Sequence, residues 1–130
     1  MKLNNDTYVQ KAQMVIKALK EEEKNDRRSP MLSTSKIRSI LAMTADIYND
    51  VLMGKDEKLS QDVCDRINYL KVRVVYEYGR GDKSVKRFIE QADLLECIDE
   101  INGKKSQYLL FSRYMEALVA YHRYYGGKDQ

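Results

Sequence analysis

Arg66, Arg73 and Arg80 stand seven residues apart in the stretch RINYLKVRVVYEYGR, with Tyr69 and Tyr76 between them. On a helix, a heptad step drifts by only about 20°. The three guanidinium groups would then share one face, spaced roughly 10 Å apart along the axis. Guanidinium forks grip phosphate through paired N–H donors, so the chemistry on offer is contact with a polyanion backbone. The competing reading is that the arginines extend from a partly buried helix with the tyrosines packed between them, and the pattern alone leaves both open. Charge distribution favours the first. From Lys71 to Arg87 there are six basic residues (Lys71, Arg73, Arg80, Lys83, Lys86, Arg87) against two acids (Glu77, Asp82), in a chain whose net charge is only +3.

Other basic residues join this set. Lys36 and Arg38 in SKIR fall in the first turn of a helix, where cations oppose the helix dipole and where amide donors favour an anion. Arg113 lies among tyrosines in the last helix, and Lys128 follows the double glycine Gly126–Gly127. The candidate polyanion-binding residues are thus Lys36, Arg38, Arg66, Lys71, Arg73, Arg80, Lys86, Arg87, Arg113 and Lys128. Catalytic chemistry finds little support. His122 is the sole histidine and lacks a nucleophile or carboxylate at triad spacing, so it reads as a packed or hydrogen-bonded side chain. Asp62 and Asp65, or Asp99 and Glu100, have no further ligand at metal-site spacing. GRGD is a turn and not a phosphate loop. No catalytic residue, metal or cofactor is expected.

The elements that must hold these residues are helices. One proline and six glycines leave little punctuation for short strands. The alternation of Leu70, Val72, Val74, Tyr76 and Tyr78 looks strand-like, yet nothing breaks the chain from Ser60 to Gly79, far beyond a strand of about 5–6 residues. Thr7, one of Ser33 to Ser35, Ser60, Asp82 or Lys83, and Ser106 are placed to begin helices. The expectation is a single all-α domain, a bundle of about five helices over 1–130. Residues 1–33 form a first helix and loop, and 84–103 one continuous fourth helix. The last helix is apolar on two faces, which puts it at the centre of its bundle or against another subunit; Met115, Val119 and Tyr121 are its candidate subunit contacts. Cys64 and Cys97 read as two buried thiols of a reducing compartment. No stretch approaches the ~18–20 apolar residues of a membrane span, so no membrane partner and a cytoplasmic location are expected.

Four blocks carry a resemblance: TSKIRSIL, YLKVRVVYEYGR, VKRFIEQADLLECI and LFSRYMEALVAYHRYYGGKD, in that order. They resemble the small subunit of type III-A CRISPR effector (Csm) complexes, over 34–129; the first helix and its loop carry no matching signature. The resemblance implies an all-helical, non-catalytic subunit present in several copies that stack side by side. Its partners would be the backbone subunits, the large polymerase-like subunit, further copies of itself, and the duplex of guide RNA and target RNA. That duplex would be held without reading its sequence. Two other readings of the residues are a helix-turn-helix DNA-binding regulator that reads DNA with the helix after Ser60, and a protein-only helical adaptor.

Overall fold

Ser33, Ser60 and Asp82 each begin a helix in the computed structural model, which describes residues 1–127. Their side chains accept the amides that a helix start leaves without partners: Ser33 Oγ from Lys36 at 3.3 Å, Ser60 Oγ from Val63 at 3.2 Å, and the Asp82 carboxylate from Ser84 at 2.9 Å. The elements are α1 (Tyr8–Asn25), α2 (Thr34–Met53), α3 (Gln61–Gly79), α4 (Lys83–Gln91), α5 (Leu94–Asp99) and α6 (Lys105–Tyr124). The all-α, single-domain expectation holds. Two starts differ from expectation. Thr7 makes no side-chain cap; its own amide is taken by Asn4 Oδ1 at 3.0 Å. Ser106 lies inside α6 and is held by Glu57 from the loop after α2.

The count is six helices among the described residues, because the expected fourth helix is broken in two. Asp93 sits in the left-handed region at φ 52°, a conformation that Asp tolerates better than most residues. Lys11 Nζ, from α1, holds its carboxylate at 2.8 Å. The break turns α5 so that Leu94, Cys97 and Ile98 all face the core.

α6 is central. α1 and α2 flank it, α3 packs on α2, and α4 and α5 close the circuit back to α1 and α6. Tyr108, Phe111, Tyr114, Met115 and Leu118 are fully enclosed, and the two enclosed tyrosine hydroxyls are matched: Tyr108 donates to the Thr44 carbonyl and Tyr114 to that of Ala92 at 2.8 Å. Met115, expected at a subunit contact, is therefore inside this chain's own core. His122 is buried and packed as expected. Its Nε2 lies 2.7 Å from the Leu32 carbonyl, and since a carbonyl only accepts, that nitrogen carries the proton. Gly127 lies against the same ring, its N–H donating to the His122 carbonyl at 2.8 Å. Cys64 is half-buried and Cys97 buried, both as free thiols; burial pushes the Cys97 thiol up to about 12. No helix among the described residues is long and apolar enough to cross a membrane.

Candidate nucleic-acid interface between α2 and α3

α3 turns Val63, Ile67, Leu70 and Val74 inward. The same 3.6-residue period forces Tyr69, Val72 and Tyr76 outward, and they stay roughly half to two-thirds exposed. Arg66, Arg73 and Arg80 fall between these two faces, on the flank that meets α2. There the two helices leave a groove made of two adjoining depressions. The larger, about 450 Å³, has an apolar floor of Met43, Ile47 and Leu70 and a rim that includes Asp46, Asp65, Arg66 and Tyr69. The smaller, about 180 Å³, is lined by Lys36, Ser39, Glu77 and Arg80 over Ile40 and Val85. Met43 and Arg73 belong to both, so Arg73 stands where they join.

The four cations of this groove are held differently. Arg66 is committed to α2: it pairs with the Asp50 carboxylate and donates to the Asp46 carbonyl at 2.7 Å. Arg80 reaches Glu77 at 3.3 Å, and its guanidinium lies over the Tyr76 ring, 5.8 Å from the centroid. Lys36 lies near Asp82, whose carboxyl is held below the usual range first by the Ser84 hydroxyl and then by backbone N–H groups and this lysine. Arg73 is exposed and makes no hydrogen bond or ion pair among the described residues. Lys36, Arg73 and Arg80 therefore outnumber Glu77 and Asp82 at one end of the groove, while Asp46, Asp50 and Asp65 outnumber Arg66 at the other.

The remaining predicted contacts lie elsewhere. Lys71 is on the opposite flank of α3, paired with Asp99 of α5 at 2.6 Å. Lys86 sits over the Tyr78 ring at 5.4 Å. Arg87 faces α1 and the loop before α2, reaching the Pro30 carbonyl at 3.1 Å and Glu22 at 3.5 Å. Arg38, two residues beyond Lys36, is turned about 160° away from it around α2. Arg113 is exposed on the outer side of α6, Val119 and Tyr121 are half-buried, and Lys128 lies outside the described residues. The sequence reading missed Asp46, Asp50 and Met43. The signal was present: Asp46 and Asp50 stand at i,i+4 on α2, one helical face that a basic neighbour can match.

Fold and groove together define a small all-α protein in which an arginine without an ion pair among the described residues, Arg73, stands where two long helices meet. No group of three or more His, Cys, Asp or Glu suited to a metal ion occurs among the described residues. The family model Csm2 Type III-A matches residues 6–128, which includes the first helix. The protein named "CRISPR system Cms protein Csm2" from Streptococcus thermophilus is 40% identical over 127 residues, 98% of each chain. The protein of the same name from Mycobacterium tuberculosis (strain H37Rv) is 35% identical over the full length of both, and that from Enterococcus italicus is 38% identical over 72% of this chain and 68% of its own. The chain belongs to the Csm2 family, the small subunits of type III-A CRISPR complexes.

Proposed function

We propose that this chain is a non-catalytic scaffold subunit of a type III-A CRISPR interference complex that contacts the guide RNA–target RNA duplex through its backbone. The observation that carries this is Arg73: a guanidinium without a carboxylate partner among the described residues, at the junction of two depressions, flanked by Lys36 and Arg80. A cation left without a counter-ion in a groove is suited to a phosphate. Double-stranded RNA hides its base edges in a deep, narrow groove and is held by shape and backbone, so such contact is independent of sequence. Several copies would stack side by side against the backbone and large polymerase-like subunits in the cytoplasm. Val119 and Tyr121 would meet neighbouring subunits, and Arg38 and Arg113 would reach RNA from other faces, as would Lys71, Lys86 and Arg87 once released from their present partners. Lys128 would add a contact from the C-terminal end.

The test is target-RNA affinity of the assembled complex carrying Arg73→Glu and Arg80→Glu, measured across a salt series. Affinity should fall for all target sequences alike, and the slope of log K against log salt should become shallower by roughly one for each phosphate that is no longer neutralised. Unchanged affinity with a normally folded subunit overturns the proposal.

A further inference from the structure

The acids in the groove need an explanation that backbone contact does not supply. A carboxylate facing a phosphate is repelled, yet Asp46 and Asp65 both line the larger depression. Asp65 gives one oxygen to Gln61 Nε2 at 2.8 Å; the Asp46 carboxylate is exposed and makes no side-chain hydrogen bond or ion pair among the described residues. The same depression has an apolar floor in Met43, Ile47 and Leu70 and an exposed tyrosine ring, Tyr69, at its side. Carboxylates accept hydrogen bonds from the exocyclic amino groups of bases, exposed aromatic rings stack on unpaired bases whatever their identity, and apolar pockets with a few convergent polar groups are what small planar ligands fill.

We propose that this depression takes one unpaired, amino-bearing nucleobase of an RNA strand (adenine, cytosine or guanine), stacked on Tyr69 and hydrogen-bonded to Asp46, with the phosphate of that strand on Arg73. This rests on the reading of Arg73 as a backbone contact and adds a base to it. Uracil, with one imide N–H and no amino group, fits the acceptors less well. The contact is therefore a preference among bases in a groove otherwise indifferent to sequence. A protein helix is the rival occupant, since Val72 and Val75 are exposed nearby on α3.

The experiment is an NMR titration of the isotope-labelled full chain with AMP, CMP, GMP, UMP and ribose 5-phosphate. AMP, CMP and GMP should shift the Tyr69 ring and Met43 methyl signals, with UMP roughly tenfold weaker, the scale of a hydrogen bond to a charged group. Ribose 5-phosphate should move the Arg73 signals alone. Asp46→Asn should erase the difference between AMP and UMP, and Tyr69→Ala should remove the response to bases while leaving that to ribose 5-phosphate. If UMP and ribose 5-phosphate act as strongly as AMP at Tyr69, the base pocket is wrong while an Arg73 response keeps the backbone reading. If no nucleotide and no sugar phosphate perturbs either residue, both readings fail. If the Tyr69 signals move with protein concentration and not with nucleotide, the face is a contact between copies and the base pocket is again wrong.

Discussion

The carboxylate of Glu57, in the loop after α2, takes both the backbone N–H and the hydroxyl of Ser106 in the first turn of α6. Lys105 completes the clasp by donating to the Gly54 carbonyl at 2.6 Å. A negative charge at a helix start is favourable, and the Ser106 hydroxyl, then its amide, hold the Glu57 carboxyl below its ordinary value of 4.5. The folded value is the lower one, so the interaction stabilises the fold above pH 4.5 and is lost as pH falls through the folded value. Glu57→Gln should lower the melting temperature at pH 7, and the gap from the parent chain should close as the buffer is taken well below pH 4.5. A gap that stays constant down to pH 3 would show that the charge plays no part.

Asp93 should be sensitive to backbone more than to charge. Asp93→Ala places an ordinary residue at φ 52° and should cost about 1–2 kcal/mol in urea denaturation, the scale of left-handed strain. Asp93→Asn keeps the tolerance for that conformation and loses the ion pair with Lys11, which is partly exposed, so its loss should be smaller. Equal losses would mean that the ion pair, which both variants remove, and not the turn, fixes α5.

Gly127 leaves no room for a side chain. A Cβ there would overlap the imidazole of His122, so either the buried ring or the chain end has to shift. Gly127→Ala should cost about 1–3 kcal/mol as an overpacked site. The Nε2–H signal of His122 should weaken as the ring leaves the Leu32 carbonyl. An unshifted signal would show that the chain end moves instead.

Thr34 offers the opposite case. Its hydroxyl is buried at the start of α2 with no hydrogen-bond partner among the described residues, so Thr34→Val removes a polar group that gains nothing from burial. Thermal stability should hold or rise. A loss of more than about 1 kcal/mol would reveal a partner for that hydroxyl, the usual cost of a hydrogen bond broken.

Helix starts were legible because they are local: Ser33, Ser60 and Asp82 act on amides two or three residues away. The break at Asp93 was not, because Val85, Phe88, Ile89, Leu95 and Ile98 keep a helical period straight through it, and the side chain that holds it comes from α1. For the same reason the three arginines at heptad spacing were correctly placed on one flank of α3, while their fates were invisible. α2 brings Asp50 into an ion pair with Arg66, Arg80 pairs with Glu77 three residues before it, and among the described residues no carboxylate pairs with Arg73. Met115 shows the limit of reading an all-round apolar helix: that pattern fits a central helix and an interface helix equally, and only the packing of α1 and α2 around α6 decides between them.

That packing has a consequence for how the chain comes to be folded. The helix on which α1, α2 and α5 converge follows all of them in sequence, so a chain emerging from the ribosome carries their apolar faces with no core to receive them. α1 meets α6 only by closing a loop of about a hundred residues, an entropic cost that local helical contacts do not prepay. Folding should therefore be a single late event, and a nascent chain stopped before Lys105 should remain open to proteolysis however well formed its separate helices are.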